Sequence, residues 1–450
     1  MEPRTRPTAD LAIVGCTALV DADGSTVGFR PGTVIEITNG VITRLDDDAT
    51  RPASALETID ANGQVAMPGL INTHTHAAMT FFRGAAEDVA VGTWFNDLIW
   101  PMEVNLTPRD VYLGTLVAAA EMIECGVTTF NDMYFHMDDA ARAVDESGLR
   151  AVLGWNYFSS QGTEGIATTV GFAERWNRHG RITTTIAPHA PYTVSDADLT
   201  ALADEARRLD VKVHLHAAED IAQTRSSLAS RRITPIRVLA ETGVLDAGCI
   251  IAHGNGIVDD DVELLAAHAD RVGVTHGPKG YLKFALGPLT PIAALRDAGV
   301  AVGYCTDGPA SNNTLDILES MRITSISQKQ VADDATWFTS ALALHLAGPG
   351  SARVIGRADD LGALHLGAAA DIILVDVSGF HCQPTHDLAA VLVHSLQPGD
   401  VRTTIVDGQV LMHERELRTI DRTDLLTEFR QRARDIVDRS HGRTIQDYAP

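Results

Sequence analysis

The sequence predicts an α/β protein in which a TIM-type (β/α)8 barrel is inserted into a small β-sandwich made by the two ends of the chain. Three observations carry this. Apolar strands alternate with helical runs eight times through the middle of the chain. Short β segments with tight turns precede and follow that middle, and polar residues gather where its strands stop. At 450 residues the chain exceeds the usual single-domain size of about 100–200 residues. The expected division is 1–66 with 361–420 for the sandwich, 67–360 for the barrel, and 421–450 for a carboxy-terminal helix and tail.

In order, residues 8–66 read as short strands: Leu11-Ala-Ile-Val, Thr33-Val-Ile-Glu-Ile and Val41-Ile-Thr-Arg-Leu, with Asn39-Gly40 as a hairpin turn. The same texture returns at Asp371-Ile-Ile-Leu-Val-Asp and Thr404-Ile-Val-Asp-Gly-Gln-Val-Leu, where Asp407-Gly408 is the turn. Between them the expected barrel strands are Gly69–His74, Thr128–Tyr134, Ala151–Tyr157, Thr183–His189, Val211–His216, Cys249–His253, Val272–His276 and Val300–Thr306. Helical runs such as Tyr112–Cys125, Asp196–Leu209 and Pro291–Ala298 separate them. Asp196 is placed as an N-cap, and Gly126 and Gly299 lie just past helix ends. Residues 421–441 are polar and amphipathic, as in a surface-packing helix.

Composition narrows the function. The net charge of −23 argues against nucleic acid or an anionic membrane as partner. No apolar run is long enough to span a bilayer, and Met1–Asp10 lacks a basic stretch followed by an apolar one, so the expectation is a cytoplasmic protein acting on a small molecule. A homo-oligomer is expected. Cys16, Cys125, Cys249, Cys305 and Cys382 are scattered without a CxxC pair and read as buried thiols.

Chemistry concentrates at strand ends, where barrel enzymes place it. The first strand runs into Asn72-Thr73-His74-Thr75-His76, and alternation along a strand points His74 and His76 the same way, as half of a transition-metal site. The fourth strand ends in Pro188-His189 and the fifth in His214-Leu-His216-Ala-Ala-Glu219. The sixth ends in Ala252-His253, the seventh in Thr275-His276, the eighth in Thr306-Asp307-Gly308. Three imidazoles and a carboxylate suit one divalent ion with a position open for water. Zinc fits best; iron and manganese accept the same set. Glu219, three residues past His216, is placed as a general acid/base.

These residues resemble the amidohydrolase superfamily, and within it the branch of S-adenosylhomocysteine/5'-methylthioadenosine deaminases and triazine hydrolases. PGLINTHTHAAMTFFRGAAED, DMYFH, PHAPYTVS, HAAE, AH and CTDGPASNN follow the branch's order and spacing from about residue 8 to 417. The resemblance implies that His74, His76, His216 and Asp307 ligate the metal, and that Glu219, His253 and Asp307 move protons and direct the attacking water. It also implies that Trp94 and Glu103 embrace a nucleoside, Glu103 accepting from both ribose hydroxyls, with His189 reaching the ribose. Binuclear relatives bridge their ions through a carboxylated lysine near the fourth strand. None of Lys212, Lys279, Lys283 and Lys329 lies there, so a mononuclear site is expected.

Two departures from the branch bear on substrate. Members that grip a homocysteine carboxylate use arginines after the third strand, whereas Trp155-Asn-Tyr-Phe-Ser-Ser-Gln-Gly-Thr-Glu-Gly has none. Trp155, Tyr157 or Phe158 would meet an apolar group instead. Adenosine, 5'-deoxyadenosine or methylthioadenosine therefore rank above S-adenosylhomocysteine. The second departure follows the seventh strand, where the usual His-Asn-Pro-x-Ser-Asn becomes His276-Gly-Pro-Lys-Gly-Tyr281. The expected reaction is hydrolytic deamination with release of ammonia. The alternatives are an aminohydrolase or chlorohydrolase of a triazine- or pterin-type heterocycle, and a non-catalytic assembly protein on the same scaffold.

Overall fold

The structure, a computed structural model, describes residues 8–48, 50 and 53–449. Most of the Met1–Asp10 stretch and the extreme ends of the first and last expected segments lie outside the described residues. Five amino-terminal strands, β1 (Ala9–Ala22), β2 (Val27–Thr38), β3 (Val41–Asp46), β4 (Ala55–Asp60) and β5 (Gln64–Pro68), precede the barrel. Its strands are β6 (Leu70–Thr75), β7 (Val127–Tyr134), β8 (Arg150–Tyr157), β9 (Ile182–Pro188), β10 (Val213–Ala217), β11 (Cys249–His253), β12 (Gly273–His276) and β13 (Ala301–Tyr304). Then come β14 (Ile372–Asp376), β15 (Val401–Val406), β16 (Gln409–His413) and β17 (Glu416–Leu417).

Strands from both ends form one nine-stranded mixed sheet, in which β14 pairs with β5 and joins the two halves. The sheet folds over a shared core to which β1–β5 and β14–β16 all contribute, including Ile13, Ile35, Ile372 and Ile405. Its two hairpin turns meet. Asn39-Gly40 and Asp407-Gly408 all have positive φ, as two-residue primed turns require, and Ala370 N–H donates to Gly40 while Gly408 N–H donates to Ala370. Gly69 is the pivot from β5 into the barrel: a Cβ there would stand 2.1 Å from Thr128 Oγ1, so only glycine permits the approach.

β6 to β13 are parallel neighbours in chain order, and every residue of most of these strands is buried. Burial on both faces explains their near-continuous apolar composition. The seam between β13 and β6 is closed mainly by side chains. Asn72 Nδ2 donates to Thr306 Oγ1 at 2.8 Å, Thr306 N–H donates back to Asn72 Oδ1, and Thr73 Oγ1 donates to the Tyr304 carbonyl. The same seam brings Asp307 N–H to the His74 carbonyl at 3.1 Å, which fixes the eighth strand's carboxylate beside the first strand's histidine.

The outer helices obey ordinary capping rules. The Pro108–Glu124 helix opens on a Thr107/Asp110 capping box, and Gly126, φ +81°, follows its end. The Asp196–Leu209 helix is capped by Ser195, not by Asp196 as expected. The Ser195 hydroxyl accepts from Asp198 N–H, and Asp196 and Asp198 occupy the first turn, where their charge favours the helix dipole. The Arg422–Ile436 helix packs on the barrel through Phe429, stacked on Phe81, and through Arg432 paired with Asp110 at 2.7 Å. Among the described residues no helix is long and apolar enough to cross a membrane.

Candidate metal centre and substrate cleft

His74 lies within β6 and His76 one residue beyond it, so alternation along the strand carries both imidazoles into the barrel mouth. His216 arrives from β10. His76 Nε2 and His216 Nε2 are 3.3 Å apart, and Asp307 Oδ1 lies 3.4 Å from His76 Nε2 and 3.5 Å from His74 Nε2. His76 Nδ1 faces the Met133 carbonyl at 2.7 Å and His216 Nδ1 the His189 carbonyl at 2.9 Å. Each Nδ1 therefore carries the proton and each Nε2 keeps its lone pair for the centre. His74 turns Nδ1 to His214 Nε2 at 2.9 Å, leaving its own Nε2 buried without a hydrogen-bond partner. Burial lowers His74 to about 3 and His216 well below its ordinary value. Asp307 is held well below the carboxylate range: burial would raise it, but the imidazoles gathered around it, His74 first, outweigh that. Neutral imidazoles and an ionised carboxylate, converging with an orphaned nitrogen, fit a divalent cation.

Glu219 and His253 stand over this cluster. Ala218, His253 and Asp307 have positive φ where the chain leaves strands for loops, a strained conformation for side-chain-bearing residues that is common at functional sites. The Ile221–Arg231 helix begins just past Glu219. Asp220 caps that helix, and Glu219 faces the cleft, where Gln223 Nε2 donates to its carboxylate at 3.0 Å and its own N–H donates to Gln223 Oε1 at 2.9 Å. Burial pushes its carboxyl up to about 7.

One cleft is lined by all the expected site residues except His74, which lies behind it, fully buried. In its lining the buried Trp94 indole N–H has no partner. Glu103 is buried there too, accepting from the Tyr134 hydroxyl, and burial pushes it up to about 8. His189 is held by Thr193 Oγ1 at 2.9 Å and stacked on Phe158. Among the described residues the lining includes no lysine or arginine. Of the three aromatics expected to meet an apolar group, only Phe158 reaches this cleft. Trp155 packs edge-on to Phe172, and Tyr157 packs against Gly165, because both side chains leave β8 on its outer side.

The chain matches the model of the Amidohydrolase family over residues 65–411. It is 39% identical over 439 residues to a 5-methylthioadenosine/S-adenosylhomocysteine deaminase of Pelotomaculum thermopropionicum, covering 96% of this chain and all of that one. The zinc-bound crystal structure of an adenosine deaminase from Xanthomonas campestris superposes with a TM-score of 0.91 at 32% identity, covering 96% of this chain and 99% of that one. The chain belongs to the amidohydrolase family. The zinc-bound atrazine chlorohydrolase of Arthrobacter aurescens shares the fold of this amidohydrolase, with a TM-score of 0.85 at 23% identity over 95% of this chain and all of that one.

Several groups at the amidohydrolase site were not singled out from sequence. His214 was within reach of the argument, since it alternates with His216 on β10 and so faces the same interior. Gln223 sits at a helix start that no strand period marks, and Tyr281, named in the departing His276–Tyr281 segment, had no partner assigned to it. The tail is a further surprise, for it crosses the barrel mouth. Asn96 holds Tyr448 through both backbone groups, at 2.7 and 3.2 Å, and the Tyr448 ring stacks on Phe95, a cleft residue, at 4.6 Å. Tyr448→Ala is expected to raise KM about three- to tenfold with kcat little changed, measured by steady-state kinetics.

Proposed function

We propose that the protein is a mononuclear, metal-dependent hydrolytic deaminase of an adenine-type nucleoside, taking adenosine, 5'-deoxyadenosine or methylthioadenosine in preference to S-adenosylhomocysteine. One observation carries the reading. One cleft is lined by His76, His216, Asp307 and Glu219 together with an unpaired indole N–H and a buried carboxyl group, Trp94 and Glu103. The relatives at 32% and 39% identity are named as deaminases of adenosine and its sulfur-bearing derivatives, which supports the same class here. The lining's lack of basic side chains supports a neutral 5' substituent, because a buried carboxylate without a cation is costly.

His74, His76, His216 and Asp307 would hold the ion. When bound, a divalent ion supplies Lewis acidity that makes water a nucleophile near neutral pH. Asp307, oriented by Ser311 Oγ on Oδ2 at 2.6 Å, takes a proton from the attacking water. The water oxygen forms its bond to the amino-bearing ring carbon while Glu219 gives its proton to the adjacent ring nitrogen. His253 stabilises the negative charge growing on that oxygen. The carbon–nitrogen bond then breaks: the amino group leaves as ammonia with the proton Asp307 had taken, and the hydroxyl formed by the attack returns its proton to Glu219 as the ring carbonyl forms. Glu103 accepts from the ribose hydroxyls. Lys212, the lysine nearest the fourth strand in sequence, bonds the Arg271 and Val354 carbonyls at the opposite end of the barrel, consistent with one ion.

The test is ammonia release from zinc-loaded protein given adenosine, methylthioadenosine, S-adenosylhomocysteine, guanine and a triazine. The reading expects the first two to turn over best. Turnover of only guanine or the triazine would end it. Dialysis against a chelator is expected to abolish activity, and stoichiometric zinc to restore it, measured by the same assay.

A further inference from the structure

The segment His276–Tyr281 departs from the branch pattern, and its two distinctive side chains have different fates. Lys279 turns away and is paired with Glu319 at 2.8 Å, so it is structural. Tyr281 turns in. Its ring lies buried against the cleft and edge-on to His253, centroids 5.5 Å apart. Its hydroxyl accepts from Gly277 N–H at 3.1 Å and meets His253 Nδ1 at 3.0 Å.

We propose that Tyr281 is a positioning residue that sets the tautomer of His253, its hydroxyl donating to Nδ1 so that Nε2 carries the ring proton and presents an N–H to the reacting centre. The argument is one of proton supply. A phenol has one proton, and the Gly277 N–H already occupies a lone pair of the oxygen. Among the described residues, the acceptors near that proton are His253 Nδ1 and the Cys305 sulfur. Sulfur is the weaker acceptor, and a buried hydroxyl goes to the stronger one. A neutral imidazole that accepts at one nitrogen must donate at the other. With Nδ1 taken, Nε2 is the nitrogen left for the ligand cluster, where His253 groups with His74 and Asp307 within 4.8 Å. An N–H in that place donates to developing oxyanion charge, whereas the opposite tautomer would set a lone pair against it.

The effect on turnover rests on the deaminase reading; the tautomer itself does not. Long-range proton–nitrogen correlation on zinc-loaded protein with nitrogen-15 histidine reads it directly, with His253→Gln used only to assign the signal. The expected result is a protonated Nε2 and a bare Nδ1 at His253 in the parent, and a mixed or reversed pattern in Tyr281→Phe. With a nucleoside substrate, Tyr281→Phe is expected to lower kcat about ten- to hundredfold, with KM within about twofold and zinc content unchanged. A purely structural tyrosine would move thermal stability and leave the nitrogen pattern alone. A protonated Nδ1 in the parent, or an unchanged pattern and kcat in the variant, overturns the proposal whatever the substrate proves to be.

Discussion

Glutamine in place of Glu219 is expected to lower kcat by about 10²–10⁴-fold while the metal content of the protein stays the same. The substitution keeps the side chain's shape and can keep its contacts with Gln223, which donates to the carboxylate and accepts from the Glu219 backbone. It removes the ability to pass a proton. In the parent, burial pushes the carboxyl up to about 7, so near neutrality it both holds and releases a proton readily. Glu219 is not in the ligand cluster, so its loss should not release the ion. Elemental analysis beside steady-state kinetics separates the roles. Loss of metal together with activity would make Glu219 a structural support instead.

The second large effect concerns Glu103, and it has opposite signs for activity and stability. Assayed above pH 8, where Glu103 is ionised, Glu103→Gln is expected to cost about tenfold to a hundredfold or more in kcat/KM for a ribonucleoside, because hydrogen bonds to a charged group are worth about 1.5–3 kcal/mol each. The loss should shrink for 2'-deoxyadenosine, which offers one hydroxyl fewer. The same substitution should stabilise the protein at high pH. Burial raises Glu103 from 4.5 to about 8, so between those values the folded state holds more of its proton than the unfolded chain does. Stability then falls as pH rises through that window, from a full contribution below 4.5 to its loss above 8. Glutamine has no proton to lose. Thermal melts should therefore show little difference from the parent at pH 5 and a gain of about 1–3 kcal/mol at pH 8. Equal destabilisation at both would show that the carboxylate is needed for folding.

Much of the centre was legible because strands impose a two-residue period. His74 with His76, and His214 with His216, face inward for that reason alone, and barrel closure brings β6, β10 and β13 to one mouth. The hairpins at Asn39-Gly40 and Asp407-Gly408 were legible because primed turns demand positive φ. Loops carry no such period. Nothing local relates Tyr281 to His253 across 28 residues, or Tyr448 to Asn96 across 352. Trp155, Tyr157 and Phe158 lie within four residues, and only the end of β8 decides which of them turns toward the cleft. At Ser195-Asp196 both residue types cap helices well, and the choice falls to which one adopts the extended backbone before the first turn.

A metal-edge anomalous difference map from crystals of the zinc-loaded protein tests the central claim most directly. The account predicts one peak, about 2.0–2.2 Å from nitrogen atoms of His74, His76 and His216 and from a carboxylate oxygen of Asp307, with Glu219 beyond bonding distance. Two peaks in the mouth, or a single peak bonded to other side chains, would contradict it.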